Sequence, residues 1–219
     1  MELTIHALQE LRLTPCKHLI TKKNASLVAT ATHALLERST ITPRAYADIA
    51  ADVPVHHPGS TPPDILCTWR PRYCLDVFLH VSKDPREAFL GVVMHGNTPT
   101  VEYFRCEEQL CVTAAAGGII FGHLTADTNH DGLVSSKLLL YDGIPADSTG
   151  ISVPIQSRYG WLQSLEEDLK SLKIADTNLV VQWIGSPHVH AEIVNMKLPH
   201  AQGGIIILRS EVPYQLYAF

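Results

Sequence analysis

The feature that most constrains this sequence is a series of short strand-like segments that fills the chain from Ile65 onward. β-Branched and aromatic residues recur in short runs, and turn-forming residues separate the runs, which is typical of consecutive strands. We expect an antiparallel sheet built from consecutive hairpins. The predicted strands are Tyr73–Val81, Phe89–His95, Thr100–Arg105, Gln109–Thr113, Ile119–Thr125, Ser136–Tyr141, Leu179–Ile184, His188–Met196 and Gly203–Leu208.

Helical patterns occur at the start of the chain and in one segment between strands. Asn24–Glu37 carries apolar residues at helical spacing, and Tyr159–Lys173 does so with acidic residues on its opposite side. A further helical segment, Leu3–Leu13, is closed by Pro15. Helices that come first and strands that follow predict the α+β class.

A proline-rich stretch divides the chain into two parts. Val53–Pro63 contains four prolines and a glycine, and a regular element does not form across such a sequence. We therefore predict a helical preface with a Pro-rich loop over residues 1–64 and a strand-rich body over residues 65–219.

The charge balance restricts the partners of the protein. The chain has 219 residues with 17 basic and 22 acidic side chains, a net charge of −5. A net negative charge argues against non-specific binding to the phosphate backbone of double-stranded nucleic acid. It does not prevent the recognition of a single nucleotide. No apolar run has the length of a membrane-spanning helix, and the start lacks a signal-peptide pattern. We expect an intracellular protein, cytoplasmic or nuclear, without a membrane partner.

The five cysteines do not form a metal-binding pattern. Their number is odd, which favours reduced thiols, and no two of them have Cys-x-x-Cys spacing. We therefore expect core or surface thiols, and neither a metal site nor a cofactor. The cysteines are Cys16, Cys67, Cys74, Cys106 and Cys111.

Two other segments carry metal-ligand residues. Asp127–Gly132 matches the first six positions of a calcium loop, but Leu138 stands where the bidentate glutamate is required. We interpret this segment as a hairpin turn. His188–Glu192 places three polar side chains on one face of a strand, and we interpret it as a solvated or groove-lining strand.

An ordered set of motifs resembles those of the covalent nucleotidyltransferases, in particular the mRNA capping guanylyltransferases. In that family, an Asp-Gly-Glu strand precedes a strand that ends in aromatic-Asp, a turn and an Arg-led helix. Gly118–Leu124, Lys137–Asp142 and Ile155–Leu162 follow this order here, and Ala201–Ile207 with Pro213-Tyr214 resembles the later Glu-x-Asp-Gly motif. The resemblance implies a nucleotidyltransferase-like fold of antiparallel sheets with packed helices, without an appended oligonucleotide-binding domain.

The residues that carry the family's chemistry are replaced. Ser82 stands in the place of the nucleophilic lysine, and Lys83 is one residue away, which on a strand reverses its face. Phe121, His123 and Gly203 replace carboxylates that hold the divalent metal. The pattern is similar to that of snurportin, a non-catalytic cap-binding relative of these enzymes. We predict that no lysyl–GMP intermediate forms.

The resemblance therefore implies non-catalytic binding of a guanine nucleotide or an RNA 5′ cap. An aromatic residue would stack on the base and basic residues would contact phosphates. One alternative is an active mRNA guanylyltransferase that uses Lys83 with Mg or Mn, and another is a scaffold-only structural or partner-binding protein. The proposed stacking residues are Tyr141, Trp69 and Trp183, and the proposed phosphate contacts are Lys83, Arg86 and Arg158.

Overall fold

A computed structural model describes the chain in segments. The described residues are 14–16, 20, 24–39, 65–82, 84, 87–95, 97–105, 117–128, 131–132, 134–146, 153–171, 173–174, 177–182, 197–209 and 215–218. They form three helices, namely α1 (Ala25–Ser39), α2 (Ile155–Ser164) and α3 (Glu166–Ser171). Their strands are β1 (Thr14–Pro15), β2 (Ile65–Pro71), β3 (Cys74–Val81), β4 (Phe89–Met94), β5 (Thr100–Arg105), β6 (Gly118–Thr128), β7 (Val134–Pro145), β8 (Lys173–Ile174), β9 (Thr177–Val181), β10 (Gln202–Arg209) and β11 (Gln215–Ala218).

The α+β class is confirmed, and the larger sheet has eight strands. Their order is β1-β5-β4-β3-β6-β7-β9-β8. Neighbours pair antiparallel except β7 and β9, which are parallel. The expectation of an entirely antiparallel sheet is therefore wrong at this pair, because α2 and α3 carry the chain back across the sheet, as a parallel connection requires.

A second, three-stranded sheet brings the first strand of the body, β2, together with the late strands β10 and β11. Its order is β11-β10-β2, with Trp69 of β2 opposite Ile205 of β10. Strand β2 is absent from the predicted strands, and Pro71 is its last residue. The strand lies at a sheet edge, where a residue without an N–H is tolerated. Residues 72 and 73 turn β2 directly into β3, so this turn links the two sheets.

The larger sheet is covered on both faces. On one face, Leu162, Leu165 and Leu169 from α2, α3 and their junction pack on the aliphatic side chains of β3, β4, β6 and β7. On the other face, α1 and β10 pack on an aromatic cluster. The helix from the predicted preface therefore shares the core of the body. The cluster contains Phe78, Phe89, Phe121 and Tyr141.

The predicted elements match the described ones with shifted ends. The first described helix and most strands lie where the sequence predicts them, β6 and β7 are longer, and the predicted Tyr159–Lys173 helix begins at Ile155 and is broken at Leu165. Within the described residues, none of the helices is long and apolar enough to cross a bilayer. Predictions for Leu3–Leu13, Val53–Pro63, Gln109–Thr113 and His188–Met196 lie outside the described residues.

Candidate functional site

A buried polar cluster lies where β2 runs into β3. Asp76 of β3 is directly opposite His123 of β6, and the Asp76 Oδ1 lies 3.1 Å from the His123 Nδ1. Arg70 Nη2 donates to the other carboxylate oxygen of Asp76 at 2.9 Å. Burial alone would raise the pKa of Asp76, but its interactions with His123 and Arg70 prevail and hold this pKa well below its usual range. Asp76 is therefore a carboxylate.

Cys74 belongs to the same cluster. It lies two residues before Asp76, so both side chains point to the same face of β3. Its Sγ donates to the Pro71 carbonyl oxygen at 3.3 Å. Burial raises the pKa of the Cys74 thiol to about 12, with Arg70 opposing the shift and Asp76 adding to it. In the absence of another ligand, Cys74 is a thiol and not a thiolate.

Tyr141 lies in the hydrophobic core and not on the rim of a groove. Its side chain has 0% exposure, and its ring stacks on the His123 ring with the centroids 4.9 Å apart. The strand segment from Leu138 to Ile144 is buried throughout, because helices and strands cover both faces of β7. The expectation that Tyr141 stacks on an incoming base is therefore corrected, since both faces of β7 are closed here.

Arg158 comes together with the aromatic-Asp motif, as the motif order suggests, but it is buried. Its Nε and Nη2 donate to the two carboxylate oxygens of Asp142 at 3.0 and 3.3 Å. Its Nη1 donates to the Val153 carbonyl oxygen at 2.6 Å, and the side chain is 1% exposed. The role of Arg158 as a phosphate contact is corrected to a structural one, because its guanidinium is held by these groups and closed to solvent.

Trp69 is buried in a hydrogen-bonded chain between the sheets. Its Nε1 donates to the His200 Nε2 at 3.1 Å, and the His200 Nδ1 lies 2.8 Å from the Asp127 Oδ1. An indole N–H only donates, so the His200 Nε2 is an acceptor and its proton is on Nδ1. Asp127 also pairs with Lys137 at 2.6 Å. Trp69 therefore has a structural role, which corrects its placement as an exposed stacking residue.

The Asp127–Gly132 segment begins in a β-hairpin, as predicted. Thr128 at the end of β6 pairs with Val134 at the start of β7, and Gly132 has the positive φ of +75° that such a turn requires of glycine. The Asp127 side chain points inward and is fully buried. It therefore joins the Trp69–His200 chain.

Three proposed site residues, Lys83, Arg86 and Trp183, lie outside the described residues, as does His188–Glu192. Ser82, which precedes Lys83, is described. Its hydroxyl donates a hydrogen bond to the Glu87 Oε2 at 2.9 Å and accepts one from the Asp84 N–H at 3.2 Å. Ser82 is therefore held by a local hydrogen-bond network after β3.

The β2–β3 turn presents an aromatic ring and a cation that the sequence analysis missed. Tyr73 is 65% exposed, and the Arg72 guanidinium lies 5.6 Å from the centre of its ring. The backbone of the turn is fixed, because the Arg72 N–H donates to the Ala201 carbonyl oxygen and the Thr125 hydroxyl donates to that of Tyr73. The only sequence signal was an aromatic residue beside two arginines in a short turn.

Gly203 explains one departure from the family motifs. A Cβ atom at this position would overlap the Arg72 Cα and the Arg72 backbone nitrogen. A glycine is therefore needed for β10 to approach the β2–β3 turn. Gly203 therefore has a packing role here.

No protein-family model matches the chain, and no curated protein matches it.

Proposed function

We propose that this chain is a non-catalytic guanine-nucleotide or RNA 5′-cap-binding protein with a nucleotidyltransferase-like fold. The observation that carries the proposal is the exposed Tyr73 ring beside Arg72 on the fixed turn between the two sheets. An aromatic face next to a cation offers a base a stacking surface and a phosphate an ionic contact. The choice of a guanine nucleotide rests on the order of the motifs, which resembles that of the capping guanylyltransferases.

The stacking residue in this proposal is Tyr73. One face of its ring is near Arg72, and a base would stack on the other face, which contributes about 1–3 kcal/mol. Arg72 would contact the phosphate of the nucleotide whose base stacks on Tyr73. Lys83 and Arg86 follow the other end of β3, whose eight residues span roughly 26 Å at about 3.3 Å per residue, so they remain proposed contacts for phosphates further along a bound RNA.

The absence of catalysis in this proposal rests on the replaced carboxylates. Phe121 is fully buried in the aromatic cluster, and Gly203 packs against the Arg72 backbone. A carboxylate at either position would disturb the core or the turn. Phosphoryl transfer depends on metal-bound charge stabilisation, and neither position provides it.

This function is tested by titrating the protein with GTP and with a methylated cap analogue. Quenching of tryptophan fluorescence reports the binding. Tyr73→Ala should weaken binding by about one to two decades, which corresponds to the loss of one stacked base. Val180→Ala is the control, because Val180 is an exposed apolar side chain on β9, three strands away from β3 in the sheet. Absence of saturable binding, or equal affinity of Tyr73→Ala and the wild type, would refute the proposal.

Salt dependence tests the cation separately. Arg72→Gln should weaken nucleotide binding more at low salt than at high salt, because its charge contribution is screened. An affinity loss that is the same at all salt concentrations would show that Arg72 acts through the shape of the turn instead.

A labelling experiment distinguishes the enzyme alternative. The protein is mixed with GTP labelled at the α-phosphate and with Mg²⁺ or Mn²⁺, and is then denatured. We expect no covalent label. A label that disappears in Lys83→Ala would replace the proposal with an RNA guanylyltransferase.

A scaffold-only protein is the second candidate, and one observation favours it. Tyr141, Arg158 and Trp69, the described residues that match the family's binding pattern, all pack or hydrogen-bond inside the protein. If neither nucleotide nor cap analogue binds and no label forms, this candidate stands.

A further inference from the structure

We propose that Cys74, Asp76 and His123 form a binding site for a Zn²⁺-like transition-metal ion. This proposal departs from the expectation of no metal, which rested on cysteine spacing. It stands independently of nucleotide binding, because it concerns the buried Asp76 and His123 with the partly buried Cys74, and not the exposed Tyr73.

The strand register brings the three side chains together. Asp76 and His123 are cross-strand partners, and Cys74 is on the same face of β3 as Asp76. One donor atom from each residue lies within 4.8 Å of the others, and the closest pair is the Asp76 Oδ1 and the His123 Nδ1 at 3.1 Å. Bond lengths of about 2.0–2.3 Å to zinc give donor separations of roughly 3.3–3.8 Å in a tetrahedron. If the three donor atoms moved by about an ångström, all of them could therefore coordinate one ion.

The donor types select the metal. A thiolate, an imidazole and a carboxylate suit Zn²⁺ or Co²⁺, whereas Mg²⁺ and Ca²⁺ prefer oxygen ligands. Three protein donors leave a fourth position for water or another ligand. The Cys74 thiol would lose its proton to solvent as the metal–sulfur bond forms.

Two neighbours would orient these ligands. Arg70 donates to the Asp76 Oδ2, which keeps the Oδ1 directed at His123. Tyr141 stacks on the imidazole ring of His123 and holds its plane. Such outer contacts commonly set ligand geometry in metal sites.

The charges predict what occupies the fourth position. With a divalent ion, the Cys74 thiolate, the Asp76 carboxylate and the Arg70 cation, the cluster carries a net charge of +1 if His123 is neutral. A water ligand keeps that charge, whereas a hydroxide or another anion cancels it. Because a buried net charge is costly, the open position would favour an anionic ligand.

The test uses the full chain, purified free of metal and reduced with a phosphine. Titration with Co²⁺ should give one equivalent of bound ion, with thiolate-to-cobalt charge-transfer absorption and intense tetrahedral visible bands, and Zn²⁺ should displace both. Cys74→Ser should abolish the charge-transfer absorption and weaken binding by more than about a hundredfold, and Arg70→Gln should weaken it by about 10–100-fold. Cys16→Ser is the matched control, because Cys16 is a free cysteine directly after β1, three strands away from β3 in the sheet.

No cobalt bands up to millimolar Co²⁺, or bands that persist in Cys74→Ser, would overturn the proposal. If Cys74→Ser does not fold, X-ray absorption of the zinc-loaded wild type provides the answer. The expected first shell has a single sulfur at about 2.3 Å together with nitrogen and oxygen at about 2.0–2.2 Å. A shell without sulfur, or with two or more sulfurs, would refute this site.

Discussion

Two buried carboxylates, Asp142 and Asp76, lie on the strands that flank β6, and they are neutralised in different ways. Asp142 accepts two N–H groups from the rigid fork of Arg158 and one from the Gly143 backbone. Asp76 has one N–H of Arg70, together with an imidazole and a nearby thiol. An arginine fork can only hold a carboxylate in place, whereas an imidazole and a thiol can change protonation or bind a metal. The difference separates a structural ion pair from a cluster able to do chemistry.

The largest expected effect comes from breaking the Asp142 pair. Arg158→Met should lower the free energy of unfolding by about 3–5 kcal/mol, because it leaves a buried carboxylate without its cation. Urea denaturation followed by circular dichroism measures this.

The control is the double variant Arg158→Met/Asp142→Leu, which removes both charges and should recover a large part of the loss. If the single variant loses less than about 1 kcal/mol, which is typical of an exposed pair, then Asp142 is not held as a buried charge.

Asp76→Asn should have a smaller effect that depends on pH. At neutral pH we expect a loss of about 1.5–3 kcal/mol, the range for hydrogen bonds to charged groups. Because the pKa of Asp76 is lowered in the folded state, its stabilising contribution is present above the ordinary aspartate pKa of about 3.9 and declines as the pH falls below it. Denaturation curves of both proteins from pH 7 to pH 3 measure this.

The difference in stability between wild type and Asp76→Asn should therefore shrink in the acid range. A difference that stays constant down to pH 3 would mean that Asp76 is not preferentially ionised in the folded protein. Asp84→Asn, a substitution in the loop after β3, controls for general effects of acid.

The smallest expected effect on stability comes from replacing Cys74, the thiol of the Asp76 cluster. Cys74→Val should change the free energy of unfolding by about 1 kcal/mol or less, because valine has a similar volume and the thiol is a weak donor. Urea denaturation without metal measures it. A loss comparable to that of Arg158→Met would show that Cys74 is a structural residue like Arg158.

The sequence predicted the elements better than their partners. Short runs of β-branched and aromatic residues, separated by turn-forming residues, located β3, β4, β5 and β6, because strand propensity and turn chemistry are local properties of the sequence. The parallel pairing of β7 with β9 and the pairing of β2 with β10 join distant segments, so no local pattern reports them.

The candidate site was predictable only in part, for the same reason. The sequence presented Arg158 as a phosphate contact, but its pairing with Asp142 and its burial depend on what covers both faces of β7. Cys74 and Asp76 are visible as an alternating pair on one strand. Their third partner, His123, follows only from the register between β3 and β6, which the sequence does not specify.

The hydrogen bond between Trp69 and His200 has a consequence for the order of synthesis and folding. The two residues are 131 positions apart in the chain, and among the described strands the partner of β2 is β10, which follows His200. During translation, β2 therefore emerges long before β10. Until β10 is synthesised, the N–H and C=O groups of β2 that pair with β10 have no partner there. Contacts of such long range slow folding, and an unpaired strand edge promotes aggregation. The nascent chain is thus most vulnerable after the larger sheet has formed and before the last strands are released.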